Sequence, residues 1–154
     1  MPGFLLDTSV WIAWFFQKHP HHLLAINLLK ARSNSDPAWL CRATEQSFLR
    51  LATTAAVCRA YSTPAFTNIE ATAALGTWRT QPHILCLDTE PAGTRELWLE
   101  LAAIPFASPK VWMDAYLAAF AIRAGIALAT LDSDFRRFEA CGLSLRLLTE
   151  WFSG

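Results

Sequence analysis

Five acidic side chains placed at the ends of apolar runs constrain this fold more than any other feature of the chain. Asp7 closes Phe4-Leu5-Leu6, Glu45 leads into Gln46-Ser47-Phe48-Leu49, and Asp114 follows Val111-Trp112-Met113. Asp132 and Asp134 come directly after Leu128-Ala129-Thr130-Leu131. A buried carboxylate without a partner costs several kcal/mol or moves its pKa. The fold must therefore supply partners for all five, out of only 13 acidic residues in 154. A hard divalent cation, which takes oxygen ligands, is the economical common partner. The pattern points to metal-assisted phosphodiester chemistry.

Hydrophobic residues make up 53% of the chain and charged ones 17%, which excludes a disordered chain and predicts one domain over residues 1–154. Lys plus Arg equals Asp plus Glu at 13 each, so no global basic field advertises nucleic-acid binding; a nucleic acid would be held by a local patch or through the metal. The seven Trp and ten Phe exceed what a small core needs. Trp11, Trp14, Phe15 and Phe16 are therefore expected to contact another chain. The N-terminus lacks a cationic export-signal start and meets Asp7 where an apolar stretch should continue. Residues 111–131 are long and apolar but carry Asp114, Arg123 and Gly125, which fits a buried helix and strand rather than a membrane span. Cys41, Cys58, Cys86 and Cys141 form no C-x-x-C pair and read as reduced, mostly core thiols of a cytoplasmic protein.

Along the chain, strands are expected at residues 3–7, 39–41, 83–87, 126–131 and 144–148. Helices are expected from Thr8 or Ser9, as caps, to about Lys18, then over 21–31, and from a Thr44 cap through Glu45. Further helices are expected from Thr54 to about Arg79 with a break near Pro64, over 94–103, and from Ser108-Pro109 to Gly125, with a helical turn at 134–139. Strands alternating with helices imply an α/β fold, three layers with a mostly parallel sheet between helices. In such sheets the site lies outside the carboxyl ends of the strands. Asp7, Glu45 and Asp132 all fall at that edge, and Asp114 lies near a helix N-terminus, where carboxylates are favoured.

Each acid also has a plainer reading. Asp7 and Asp132 could cap turns, Glu45 could answer a helix dipole, and Asp114 could pair with Arg42 or Arg123. Asp134 could face the same cation as Asp132 or cap the following turn. His19-Pro20-His21-His22 has metal-ligand composition, but Pro20 spoils its spacing and a surface turn explains it. Arg42, Arg136 and Arg137 are the basic residues best placed to touch phosphates.

Leu5-Leu6-Asp7-Thr8-Ser9-Val10, Thr44-Glu45-Gln46-Ser47-Phe48-Leu49-Arg50-Leu51, Asp114-Ala115-Tyr116-Leu117-Ala118 and Thr130-Leu131-Asp132-Ser133-Asp134-Phe135 together resemble the PIN-domain ribonucleases, and within them the VapC-type toxins of bacterial toxin–antitoxin pairs. The resemblance runs nearly end to end. It implies a PIN-like fold and a metal-dependent endoribonuclease. It implies Mg²⁺ or Mn²⁺ at Asp7, Glu45, Asp114 and Asp132 or Asp134, with Thr8, Ser9 and Thr130 supporting the site by hydrogen bonds. The same resemblance implies an RNA substrate, a cognate antitoxin and a homodimer.

Three rival readings start from the same residues. A haloacid-dehalogenase-like phosphatase would use Asp7, but it needs a second Asp where this chain has Ser9. A receiver domain needs an acidic pair near the N-terminus and a Lys after a strand, and Lys110 follows none. A non-catalytic PIN-like binding module would have no need to keep all the acids.

Overall fold

The structure is a computed structural model and describes residues 1–150; residues 151–154 of the expected domain lie outside the described residues. Five strands form one sheet: β1 (Phe4–Leu6), β2 (Ala38–Cys41), β3 (Ile84–Leu87), β4 (Ala127–Thr130) and β5 (Leu145–Leu147). Their order is β3-β2-β1-β4-β5, and all four pairings are parallel. The helices are α1 (Thr8–Phe15), α2 (His22–Lys30), α3 (Arg42–Ala52), α4 (Ala55–Ala60), α5 (Asn68–Arg79), α6 (Thr94–Ala102) and α7 (Val111–Ala124). A 3₁₀ segment, Ser133–Cys141, follows β4.

Strand alternation divides the core. Leu5 packs with Val111, Ala115, Leu117, Ala118, Ala121 and Leu128, on the α6–α7 side. Leu6, its neighbour in sequence, points the other way and packs with Val10, Trp11, Leu28, Phe48, Trp78 and Ala129, on the α1–α5 side. Successive residues of a strand face opposite sides of the sheet, so two adjacent leucines with no exposed area require helices on both. The three-layer α/β/α architecture follows.

Several expectations are corrected. Trp11 and Phe16 are buried, and Trp14 and Phe15 pack against the same core instead of facing outward. Trp11 stacks on Trp78 with ring centroids 5.0 Å apart and donates its indole N–H to the Leu6 carbonyl at 3.1 Å. The aromatic load is thus largely one intramolecular cluster. The exposed apolar side chains lie elsewhere, at Leu23 and Ile69 and at Phe106, Trp112 and Met113 among others. Neither Thr8 nor Ser9 caps α1, whose cap position is Asp7, and Thr44 is the third helical residue of α3 behind a Cys41 cap. Its hydroxyl closes a capping box, accepting from the Cys41 N–H at 3.2 Å. Cys41 and Cys58 are buried, Cys86 is partly buried and Cys141 is exposed. Residues 111–131 do split into α7 and β4, with Gly125 between them at φ +68, a left-handed conformation glycine adopts without strain. Among the described residues no helix is long and apolar enough to cross a membrane.

Candidate active site

The sheet order places a crevice where the chain reverses direction. From β1 it moves to β2 and β3 on one side, then crosses to β4 on the other, so β1 and β4 flank the topological switch point. Asp7 leaves β1 and Asp132 leaves β4 at their carboxyl ends. The Asp7 N–H donates to the Ala129 carbonyl at 2.9 Å, tying the two exits together.

Asp7 is buried, and its Oδ2 accepts from Ser9 Oγ and from Thr130 Oγ1, each at 2.8 Å. Both hydroxyls also accept: Ser9 from the Leu131 N–H at 3.1 Å and Thr130 from the Asp132 N–H at 3.0 Å. Each hydroxyl therefore spends its proton on Asp7 and its lone pair on the turn after β4. Thr8 contributes its backbone N–H rather than its hydroxyl. Burial pushes the Asp7 pKa up; these donors pull it back, and the charge of Asp132 adds to the rise.

Asp114 stands in the first turn of α7, mostly buried. Its pKa is pushed up to about 6, first by burial, against the attraction of Lys110, and then by the charges of Asp7 and Asp132. Asp132 Oδ1 accepts from the Asp134 N–H at 2.9 Å, so Asp132 rather than Asp134 caps the 3₁₀ segment. Asp134 is half exposed, and the Lys110 hydrogen bond holds it below the ordinary carboxylate range.

Lys110 is the residue that sequence reading missed. Its Nζ lies 2.5 Å from Asp132 Oδ2, 2.8 Å from Asp134 Oδ2 and 3.6 Å from Asp114 Oδ2. Burial works against this charge, and the hydrogen bonds to Asp132 and Asp134 outweigh it, so the lysine pKa rises. The available signal was its position four residues before Asp114, neighbours on a helix face.

Glu45 belongs to a different cluster. Buried near the start of α3, its Oε2 accepts from Arg42 at 2.9 Å and its Oε1 from Arg79 at 2.5 Å. Both guanidiniums also reach Asp88, just past β3, at 3.6 and 2.8 Å. Arg42 thus pairs with Glu45, not Asp114. Arg136 pairs with Glu139 at 3.3 Å and with Glu150, and Arg137 donates to the Asp134 carbonyl at 3.2 Å. The histidine group forms the expected turn, with His19 Nδ1 accepting from the His21 N–H at 3.0 Å.

A sequence model of the PIN domain matches residues 4–140. The chain belongs to the PIN-domain family. Its sequence is 40% identical over 146 residues to Ribonuclease VapC41 of Mycobacterium tuberculosis, covering 95% of this chain and 99% of that one. The PIN fold is also that of the M. tuberculosis VapC20 crystal structure, a sarcin-ricin loop cleaving toxin (TM-score 0.62, 19% identity, 92% of this chain and 96% of that one). VapBC2 of Rickettsia felis, solved bound to a DNA fragment from its promoter, is similar at TM-score 0.61 and 15% identity, covering 93% and 96%. In this PIN chain, among the described residues, no three His, Cys, Asp or Glu side chains are grouped so as to hold a metal ion. The donors that are present are all carboxylate oxygens, the set a hard cation takes, and a lysine ammonium already draws on three of them.

Proposed function

We propose that this protein is a metal-dependent endoribonuclease and the toxin of a toxin–antitoxin pair, cutting RNA phosphodiesters at the β1–β4 crevice. The observation that carries the reading is the gathering of Asp114, Asp132 and Asp134 on one cationic group beside the buried Asp7 at the switch point. The similarity to Ribonuclease VapC41 over nearly the whole chain supports the reaction class. Asp7, Glu45, Asp114, Asp132 and Asp134 would hold Mg²⁺ or Mn²⁺. A divalent ion there supplies Lewis-acid polarisation of the phosphate and an acidified water.

The chain's own groups do the rest. Ser9 and Thr130 fix Asp7 Oδ2, so that carboxylate is oriented before any substrate arrives. Asp114, raised to about 6 in the metal-free protein by burial and by the charges of Asp7 and Asp132, is the carboxylate whose strain a divalent ion would relieve most. Glu45 keeps the guanidiniums of Arg42 and Arg79 at the same edge of the sheet, where they suit an RNA backbone; Arg136 and Arg137 lie beyond Asp134. Structured RNA, such as tRNA or rRNA, is the expected substrate class. A cognate antitoxin and a second copy of the chain are the expected partners, and Phe106, Trp112 and Met113 are among the exposed apolar side chains open to them.

The test is cleavage of total cellular RNA by the purified protein with Mg²⁺ or Mn²⁺, with EDTA, and with Asp114→Asn. Cutting that requires the metal and vanishes in the variant is expected. Cutting that persists in EDTA or in Asp114→Asn overturns the assignment.

A further inference from the structure

Lys110 raises a problem that the nuclease reading does not solve. One ammonium offers three protons, and three carboxylates of the site surround it at 2.5, 2.8 and 3.6 Å. A monovalent and a divalent cation cannot share the same oxygens without strong mutual repulsion. We propose that Lys110 is a tethered counter-ion of the carboxylate site: it occupies the cation position in the metal-free protein and is displaced when a divalent ion binds.

Three features of the structure support this. Lys110 precedes α7 at its cap position, so its backbone is anchored beside Asp114 while its flexible four-carbon stem is free to swing. Its side chain is 57% exposed, so little packing opposes its withdrawal. Its Nζ bonds Asp132 Oδ2 and Asp134 Oδ2 together, holding both oxygens on one cation. Glu45 is held differently, by two guanidiniums, of which the less exposed Arg79 also bonds Asp88 at 2.8 Å. The effect on function is a trade: the tether relieves carboxylate repulsion in the metal-free protein and lowers the affinity for metal.

The inference rests on the nuclease reading, and titration calorimetry with Mn²⁺ and Mg²⁺ separates the two. The metal-free full chain is compared with Lys110→Met, Lys110→Arg and Arg137→Met. Lys110→Met should bind about tenfold more tightly, equivalent to about 1.4 kcal/mol. Lys110→Arg, which keeps the charge, should bind no more tightly than the wild type. Arg137→Met removes a nearby charge whose hydrogen bond goes to the Asp134 carbonyl and whose pull on the Asp134 carboxylate is the weakest acting there, and should change affinity by less than about threefold at physiological salt. In the wild type, the ¹⁵N-lysine NMR signal of the Lys110 ammonium, slowed in exchange by its three partners, should be lost on adding Mg²⁺. Unchanged or weaker binding by Lys110→Met, or an equal gain in Arg137→Met, overturns the tether and leaves the nuclease standing. Absence of divalent binding in all four proteins overturns both.

Discussion

Replacing Asp114 by Asn should stabilise the metal-free protein at neutral pH while abolishing its activity. Burial and the charges of Asp7 and Asp132 raise the Asp114 pKa from 3.8 to about 6, with Lys110 only partly compensating. A folded carboxyl that holds its proton to higher pH than the unfolded one means the folded protein binds more protons between about pH 4 and pH 6. Stability therefore falls as pH rises through that window and stays lowered above it. Each tenfold change in proton affinity is worth about 1.4 kcal/mol, so the ceiling is about 3 kcal/mol. That shift already contains the 3.6 Å attraction to Lys110; Asn keeps the shape but brings an amide that must find partners, so the net gain at pH 7.5 should be about 1–2 kcal/mol. In a chain of this size that is about 2–8 °C in Tm. The assay is thermal unfolding in EDTA at several pH values. The advantage of the variant should shrink as pH falls from about 7 towards 4, and Mn²⁺ should reverse the ranking by stabilising the wild type alone. An Asn variant no more stable than the wild type at pH 7.5, or a gain that does not vary with pH, would refute the account of Asp114 as an electrostatically strained carboxylate.

Thr130→Val removes the 2.8 Å donor to buried Asp7 and the acceptor of the Asp132 N–H; it should cost about 1–3 kcal/mol in urea unfolding and cut RNA cleavage sharply, while Thr8→Val should do neither. A double-mutant cycle of Glu45→Gln and Arg79→Met should show a coupling of about 1 kcal/mol or more, and a value near zero would mean that the 2.5 Å pair is not a stabilising contact. Trp11→Ala empties the centre of the aromatic cluster and should cost about 3–5 kcal/mol, whereas Trp112→Ser, on the exposed face, should cost less than about 1 kcal/mol by the same measurement.

Much of this architecture was legible in the linear sequence, because strand and helix signals depend on neighbours a few residues apart. The run Leu5-Leu6 before Asp7, the Gly125 stop after α7 and the break near Pro64 are local facts, and element boundaries moved by only a few residues. The aromatic residues were misjudged for the opposite reason. Trp11, Trp14 and Phe15 have their partners in Phe48, Phe66 and Trp78, more than 30 residues away in sequence, and nothing in their own helix reveals that α5 covers them. Composition counted an excess of aromatic rings without locating the surface they cover.

The same distinction between local and distant information explains the site. Acids at strand exits could be placed at one edge of the sheet from the alternation of elements alone, because every parallel strand delivers its carboxyl end there. Which cation each acid meets depends on the strand order. Lys110 reaches Asp132 and Asp134 across 22 and 24 residues because α7 packs back along β4, bringing its N-terminus to the exit of that strand, and Arg79 reaches Glu45 across 34 because α5 packs against α3 and leads into β3 beside β2. Balanced totals of 13 acidic and 13 basic residues therefore carried more information than a missing basic field. They left room for a basic partner at each acidic cluster, with arginines answering Glu45 and a lysine answering the other three. The difference between those partners bears on chemistry. Two guanidiniums hold Glu45, with Arg79 also bonding Asp88, whereas a single ammonium on a flexible stem holds the other three acids.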